Sequence, residues 1–252
     1  MIPKTIHYVW GESEKQSMLT SFCIQTWLQE LEGYELKKWN ESRVNITNRF
    51  AKECLDRKLW AYVADYLRIY VLYEQGGVYL DTDVHVLKPF DTLLDYPMFF
   101  GKRPNDEHPE PAVLGSEAGH PFLEKVLEFY EQEIWTRKVY TIPEIFSIIL
   151  DRYFTLDQKT GLAYGLDSEI KVLAPEYFCP YGFDADYNDD GVTENTFSVH
   201  WWNMSWNESR ELLFLKTKHL SGFKKLYEMQ KFYYTRNIER PIKRILRGKK
   251  KS

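Results

Sequence analysis

Cysteines and long apolar runs are scarce in this chain of 252 residues. The three cysteines, Cys23, Cys54 and Cys179, lie far apart, and none belongs to a Cys-x-x-Cys pair or to the spacing of a zinc site. An odd number of scattered cysteines argues against a disulfide framework and predicts reduced intracellular thiols. No stretch approaches the roughly 18 apolar residues of a membrane span, and the opening segment lacks the apolar core of a signal peptide. We therefore expect a cytoplasmic protein.

The net charge of −4 is unevenly distributed along the chain. Residues 236–252 contain eight Lys or Arg and one acid, a charge of +7, so residues 1–235 carry about −11. An acidic body argues against a general nucleic-acid-binding protein. The basic tail also contains Ile and Leu, which suits either a solvated end or contact with an anionic membrane surface. We expect a single catalytic domain at 1–235 and a basic tail at 236–252. The tail suggests that the protein lies peripherally on the inner face of the membrane.

The spacing of apolar residues predicts an α/β chain. The segment KTIHYVWG is typical of a strand, residues 15–31 of a helix, and GYELKKWNES of a strand followed by a loop, so the chain opens with a β-α-β unit. The elements expected after that unit are a helix at 53–77, a strand over VYLDTDVHVL, a strand at Met98 to Lys102, a proline-rich loop at 103–121, helices at 121–137 and 143–154, and a helical C-terminal part.

Two aspartates, Asp81 and Asp83, stand at the end of the strand that follows the longest helix. Side chains alternate along a strand, so Tyr79, Asp81 and Asp83 are predicted to share one face, with the carboxylates about 7 Å apart. Mg²⁺ and Mn²⁺ prefer such carboxylate oxygens. A lone Asp-x-Asp pair is equally consistent with two solvated loop residues.

A second pair of charges lies in the preceding helix, within the apolar run WAYVADYLRIYVLY. Asp65 and Arg68 are three residues apart and lie on one helical face, where either an internal ion pair or a functional site explains them. A tight turn at Gly76 or Gly77 would bring them to the crevice of Asp83. A phosphatase of the haloacid dehalogenase type also uses Asp-x-Asp, but His85 and the late position of the motif do not fit that pattern.

The combined spacing Asp-x2-Arg-x10-Tyr-x-Asp-x-Asp, at residues 65–83, resembles the sugar-nucleotide-binding core of the family 32 glycosyltransferases. This family includes yeast-type initiating mannosyltransferases and bacterial capsule enzymes, and the large clostridial glucosylating toxins show the same spacing. The segments IPKTIHYVWG, CIQTWLQELEGYELKKWNES, APEYFCPYGF and VHWWNMSW extend the resemblance over residues 2 to 206. It implies a fold of the GT-A type, a Rossmann-like mixed sheet flanked by helices.

The resemblance implies a role for each matching residue. Val9 and Trp10 would hold the nucleobase, and Asp65 and Arg68 the donor sugar. Tyr79 would support the site. The residues implied to bind the donor are therefore Val9, Trp10, Asp65, Arg68, Tyr79, Asp81, Ser205 and Trp206.

The implied cofactor is Mn²⁺ or Mg²⁺, with Asp81, Asp83 and His200 as the metal residues. Asp83 would ligate the ion directly, while Asp81 would meet the ribose and a metal-bound water. Ser205 and Trp206 would close over the diphosphate. The implied catalytic residues are Asp65, Arg68, Asp83 and Trp206.

The expected function is that of a metal-dependent, retaining hexosyltransferase. It would use a nucleotide-diphosphate sugar, a UDP-sugar such as UDP-galactose or UDP-glucose, and act on a glycan or lipid-linked glycan in capsule or other surface polysaccharide synthesis. The alternatives are a metal-dependent phosphoesterase and a non-catalytic carbohydrate-binding protein.

The chain departs from the family pattern at two places. Trp10-Gly11-Glu12 stands where Trp-Gly-Gly is frequent, and Pro111 or Ala112 stands near a usual Asn. Glu117 is a candidate substitute for that Asn. His7 and His85 are expected to be packed residues, and His120 a helix-start residue.

Overall fold

The computed structural model describes residues 1–11, 16–40, 42–43, 46–104, 106, 108–183, 185, 191–203 and 212–234. The helices are α1 (Met18–Glu30), α2 (Arg49–Asp56), α3 (Trp60–Gln75), α4 (Pro121–Glu128), α5 (Ile142–Tyr153), α6 (Pro175–Phe178), α7 (Leu212–Thr217) and α8 (Gly222–Tyr234). The strands are β1 (Thr5–Val9), β2 (Glu35–Trp39), β3 (Gly77–Leu80), β4 (Val84–Val86), β5 (Met98–Lys102), β6 (Pro109–Ser116), β7 (Thr155–Asp157), β8 (Leu162–Gly165), β9 (Ser168–Leu173) and β10 (Ser198–His200).

Eight of these strands form one mixed sheet in the order β2-β1-β3-β6-β5-β9-β8-β7, and β4 and β10 form a separate antiparallel pair. The β1-β2, β1-β3 and β5-β9 pairs are parallel, and the others in the large sheet are antiparallel. One apolar cluster joins the sheet to α2, α3, α4 and α5, and a second joins it to α1, β4 and α6. The predicted α/β class, a Rossmann-like mixed sheet flanked by helices with a helical C-terminal part, is confirmed.

The opening β-α-β unit has the predicted order and parallel pairing. Helix α1 is capped by Ser17, the residue before its first turn, whose hydroxyl accepts a hydrogen bond from the backbone N–H of Thr20 at 3.0 Å. This cap satisfies one of the free donors at the helix start. Strands β1, β2 and β3 run parallel, so their carboxyl ends at Val9, Trp39 and Leu80 lie along one edge of the sheet.

The prediction of one helix at 53–77 is wrong, because α2 and α3 are separated at residues 57–59. Lys58 has a left-handed backbone with φ of 57°, and the N–H of Leu59 bonds to the carbonyl of Cys54 at 2.9 Å. Both Cys54 and Leu59 are buried. The break lets α2 and α3 each direct apolar residues into the core, which one straight helix would not do.

The prediction of one strand over VYLDTDVHVL is also wrong, because Asp81 to Asp83 form a turn between β3 and β4. The N–H of Val84 bonds to the carbonyl of Asp81 at 3.0 Å, and β4 then leaves the large sheet to pair with β10. Tyr79, Asp81 and Asp83 therefore do not share a strand face.

The proline-rich loop predicted at 103–121 contains a central strand, β6, which lies between β3 and β5. Every residue of β6 is buried, so it lacks the alternating pattern of a half-exposed strand. Its prolines stand where the register with β5 shifts, at Phe100 and Gly101, and prolines are tolerated at such bulges. The segment 155–168 includes the hairpin β7-β8.

Helix α7 packs against the body of the fold. Leu213 and Leu215 of α7 are buried, and the ammonium of Lys218 donates to the carbonyls of Arg137 at 2.7 Å, Val139 at 2.8 Å and Ile134. These bonds attach the end of α7 to the segment after α4. None of the described helices combines the length and hydropathy needed to cross a bilayer.

His7 is a packed core residue, as expected from the sequence. Its Nδ1 accepts a hydrogen bond from the indole Nε1–H of Trp39 at 2.9 Å, so Nε2 carries the proton and donates to the carbonyl of Gly76 at 2.8 Å. The imidazole lies so close to Gly77 that a Cβ there would be 2.8 Å from Nε2. His7 thus joins β1, β2 and the α3-β3 turn.

We predict that His7 makes the free energy of unfolding depend on pH. Burial lowers the pKa of His7 from 6.5 to about 4, against the opposing effect of the Gly76 bond. Above pH 6.5 the imidazole is neutral in both states. Between pH 6.5 and 4 only the unfolded state takes up the proton, so stability should fall by roughly 3 kcal/mol across that window.

The measurement is urea unfolding of wild type and His7→Gln at several pH values between 4 and 7.5. The stability difference between the two proteins should shrink as the pH falls, because Gln does not titrate and shared carboxylate effects cancel. A difference that stays constant over this range would contradict the prediction.

Candidate active site

The carboxyl edge of β1 and β3 brings three of the expected donor-binding residues together. His7 pairs with Tyr79, so Val9 stands level with Asp81, and Trp10 follows with its N–H bonded to the carbonyl of Trp39 at 2.9 Å. Ligands in open α/β sheets bind outside this edge. The β-α-β order in the sequence was sufficient to predict this placement.

Arg68 connects the helix to the aspartate turn. Its Nη2 lies 2.9 Å from Oδ1 of Asp65 and donates to Oδ1 of Asp81 at 3.0 Å, while Nη1 donates to Oδ2 of Asp81 at 3.2 Å. Nη1 also donates to the carbonyl of Pro111 at 2.8 Å. The guanidinium lies 4.6 Å from the ring centre of Tyr79. Asp65 and Arg68 thus form the ion pair within α3 that their spacing predicted, and Arg68 also contacts the aspartate turn.

Burial shapes the protonation of the groups around Arg68. Asp65 is 1% exposed, and burial raises its pKa to about 7, although the charge of Arg68 opposes the shift. Burial also raises the pKa of Tyr79 well above its ordinary value, so the hydroxyl stays protonated and donates to Oδ1 of Asp81 at 3.2 Å. Asp81 therefore receives donors from both Arg68 and Tyr79.

Asp83 belongs to a second set of contacts, made across the β4-β10 pair. Nε2 of His200 lies 3.4 Å from Oδ1 of Asp83, and the backbone N–H of Asn203 donates to Oδ2 at 2.7 Å. Burial acts to raise the pKa of Asp83, but the charge and hydrogen bond of His200 and the Asn203 bond together lower it. For neighbouring Asp81 the effect of burial is larger than the opposing effect of the Arg68 charge, so the pKa of Asp81 is raised.

The two sets meet in one candidate metal site. One ligand atom from each of Asp81, Asp83 and His200 lies within 4.8 Å of the other two. Two carboxylate oxygens and an imidazole nitrogen suit a divalent ion such as Mn²⁺. Four acidic side chains surround the two basic side chains of Arg68 and His200. Asp65, Asp83 and Glu110 are buried and Asp81 is partly exposed, so acidic groups outnumber basic ones among the described residues here. The donor set and this excess both fit a cation.

Glu110 was not predicted from the sequence, because its strand was taken for a loop. It is 7% exposed, its Oε1 lies 3.8 Å from Nδ1 of His200, and burial raises its pKa. Glu117, considered as a substitute for the missing Asn, stands beyond the opposite end of β6, about 20 Å away along the strand. The only sequence feature that could have pointed to Glu110 is its position between two prolines.

The segment after β10 is only partly described. His200 ends β10, Trp201 and Trp202 follow it, and the Trp202 indole donates to the carbonyl of Tyr181 at 2.9 Å. His85 is packed, as expected, with its ring stacked 6.2 Å from Trp201. The expected donor residues Ser205 and Trp206 lie outside the described residues, as does the basic tail. His120 accepts from the N–H of Phe122 at the start of α4, as expected.

We predict that Arg68→Met lowers the free energy of unfolding by about 3–5 kcal/mol, because it leaves buried carboxylates without their cation. The matched control is Arg137→Met, which removes an ion pair between Glu133 and an arginine whose side chain is 47% exposed. That pair should contribute less than about 1 kcal/mol. Urea unfolding of both variants at pH 7.5 measures the difference, and equal losses would contradict the role of Arg68.

Residues 17–100 match the family described as "Glycosyltransferase sugar-binding region containing DXD motif". Inositol phosphoceramide mannosyltransferase 3 of Schizosaccharomyces pombe is 31% identical over 134 residues, which cover 50% of this chain and 36% of that protein. Inositol phosphoceramide mannosyltransferase 2 of the same yeast is 34% identical over 166 residues, covering 64% and 44%. The chain thus spans less than half the length of these relatives.

The structure described as "PaToxG Glycosyltransferase" aligns with a TM-score of 0.47 at 17% identity, over 60% of this chain and 68% of that one. The matched region 17–100 contains α3 and the aspartate turn, with Asp65, Arg68, Tyr79, Asp81 and Asp83. Residues 17–100 are thus similar to a glycosyltransferase sugar-binding region with the DXD motif, in agreement with the expectation from the sequence.

Proposed function

We propose that this chain is a metal-dependent, retaining glycosyltransferase of the GT-A type. It transfers a hexose from a nucleoside-diphosphate sugar, a UDP-sugar such as UDP-galactose or UDP-glucose, to a glycan or lipid-linked glycan of a surface polysaccharide. The observation that carries the proposal is the cluster of Asp81, Asp83 and His200 beside Arg68, at the sheet edge where β1 ends at Val9 and Trp10 follows.

The side chains divide the work of holding a donor. A divalent ion on Asp81, Asp83 and His200 would neutralise charge on the leaving diphosphate. Asp65 and Arg68 are held by each other and by the aspartate turn, so they offer the donor sugar hydroxyls a fixed set of polar atoms. Such prearranged groups favour the transition state because they need not reorganise during transfer.

The acceptor hydroxyl then attacks on the face from which the diphosphate departs, so the anomeric configuration is kept. Val9 and Trp10 bind the nucleobase at the end of β1. Ser205 and Trp206 keep the donor-closing role that the family resemblance implies for them.

The names of the relatives favour a second donor class. Two of them are mannosyltransferases that act on inositol phosphoceramide, which supports a mannosyl donor and a lipid-borne acceptor as the second candidate. The phosphoesterase alternative is less well supported. Its first aspartate would have to attack phosphorus, but both oxygens of Asp81 accept hydrogen bonds from Arg68.

We predict that one sugar nucleotide in a panel with Mn²⁺ is slowly hydrolysed, and that Asp83→Asn reduces this rate on the order of 100-fold through loss of metal affinity. The panel contains UDP-galactose, UDP-glucose and GDP-mannose. Asp151→Asn, at an exposed position of α5, is the matched control and should retain the wild-type rate.

Calorimetry with UDP gives an independent measurement. UDP should bind wild type more tightly with Mn²⁺ than without it, and Asp83→Asn should lose this difference. Equal UDP affinity with and without the ion would overturn metal dependence. Sugar binding that needs no nucleotide would favour the carbohydrate-binding alternative.

We also propose that the protein is cytoplasmic and binds the inner face of an anionic membrane through its C-terminal part. The basic charge of residues 236–252 supports this, and α8, which precedes them in the sequence, adds exposed apolar side chains. Phe223 is 83% exposed, and three more apolar side chains of α8 are more than half exposed: Leu226, Tyr227 and Tyr234.

The four exposed side chains of α8 lie on one helical face, because their spacing from Phe223 is three, four and eleven residues. Lys224 and Lys231 border that face, while Phe232 lies on the other side, 5.9 Å from the ammonium of Lys216 in α7. An exposed apolar stripe beside lysines is typical of a helix that lies in a membrane interface.

We predict that the full chain binds vesicles containing anionic phosphatidylglycerol more tightly than neutral vesicles, and that salt weakens this binding. The double variant Phe223→Ser, Tyr227→Ser should bind roughly tenfold or more weakly, because two aromatic side chains no longer enter the interface. Tyr164→Ser, at a half-exposed position of β8, is the control. Equal binding by all three proteins, or no preference for anionic vesicles, would contradict the proposal.

A further inference from the structure

The strand β6 is irregular at the candidate active site. Phe100 of β5 pairs with Leu114, but the next residue, Gly101, pairs with Glu110, so residues 111–113 are extra on the β6 side. Bulges of this kind bend a strand and redirect its side chains. The carbonyl groups of these extra residues accept hydrogen bonds on the side of β6 that faces β3. Arg68 donates to the carbonyl of Pro111, and the N–H of Asp81 donates to the carbonyl of Ala112.

The bulge sets Glu110 beside His200. Glu110 is buried, whereas a glutamate is normally charged and exposed to water. A buried acid needs a hydrogen-bonding or charged partner. Its Oε1 lies 3.8 Å from Nδ1 of His200. Arg68 and Asp81 are its other charged neighbours in this part of the structure, together with Arg103.

The two nitrogens of His200 face different groups. Nε2 points to Asp83, at 3.4 Å from Oδ1. Nδ1 is buried and makes no hydrogen bond of normal length with the described residues, although the thiol of Cys179 and the carboxylate of Glu110 lie near the ring. An imidazole that ligates a metal through one nitrogen carries its proton on the other, and that N–H is normally held by a carboxylate or carbonyl.

We propose that Glu110 is a positioning residue that accepts the Nδ1–H of His200 and so directs Nε2 toward Asp81 and Asp83. This inference rests on the proposed metal-dependent function. The separation must shorten by about 1 Å to give a hydrogen bond. The thiol of Cys179 also interacts with His200 and is the neighbouring group to control for.

The geometry favours positioning over direct ligation. The compact ligand group consists of Asp81, Asp83 and His200 and does not include Glu110. Glu110 lies on the Nδ1 side of the ring, whereas Asp83 lies on the Nε2 side. The imidazole therefore stands between Glu110 and the place where an ion would bind.

The test measures Mn²⁺ binding to the full chain by electron paramagnetic resonance and calorimetry. Glu110→Ala should raise the Kd for Mn²⁺ by 10- to 100-fold, the usual cost of removing a residue that orients a metal ligand. Glu110→Gln keeps an acceptor oxygen and should restore part of the affinity. Cys179→Ser and Glu169→Gln, a partly exposed acid at the other end of the sheet, are the controls and should bind as wild type does.

A second readout reports the tautomer directly. In the Mg²⁺-loaded protein, ¹H–¹⁵N spectra of the histidine rings should show His200 protonated at Nδ1 in wild type and a mixture of tautomers in Glu110→Ala. Thermal unfolding of each variant checks that the fold is retained.

The outcomes separate the inference from the proposed function. Wild type that binds no Mn²⁺ would overturn both. Mn²⁺ binding that is equal in wild type, Glu110→Ala and Glu110→Gln would overturn the role of Glu110 alone. Unchanged Mn²⁺ affinity with weaker UDP-sugar binding at saturating Mn²⁺ would also overturn it, because Glu110 would then be a donor contact.

Discussion

The paired contacts of Arg68 with Asp65 and Asp81 are the interaction on which the rest of this structure depends. The guanidinium is 5% exposed and has carboxylates on both sides, from the middle of α3 and from the turn after β3. Removing charges from water is costly unless opposite charges are close and well oriented. The pairing therefore fixes the helix relative to the turn, and the bond to Pro111 adds β6 to the same arrangement.

These buried charges provide polar atoms for a ligand, but they stabilise the fold less than apolar side chains of the same size would. Apolar residues at positions 65, 68 and 81 together would fill the same space without a desolvation cost, and buried ion pairs generally contribute little to stability compared with such joint replacements. Charges kept here therefore indicate that the polar atoms are needed for a ligand. The pair lies in residues 17–100, which are similar to a glycosyltransferase sugar-binding region, and we propose that this ligand is the sugar donor.

The sequence was sufficient to predict features that depend on neighbouring residues. The helical period around Asp65 and Arg68, the β-α-β opening and the left-handed glycine after α3 are local, and all were found. The strand β6 was missed because burial on both faces removes the alternating pattern and because prolines suggest a loop. The turn at Asp81 to Asp83 was missed because apolar residues continue beyond it, into a strand that pairs elsewhere.

The pairing of β4 with β10 explains how two adjacent aspartates tolerate each other. The residues that contact Asp83 come from a segment 120 residues later in the chain, which no local pattern identifies as its partner. Asp81 faces Arg68 in the large sheet, and Asp83 faces His200 in the small one. Each carboxylate thus has its own cationic partner, and their mutual repulsion is reduced before any ion arrives. An ion bound by both would link the two sheets, so the donor site depends equally on the local unit around α3 and on the distant strand β10.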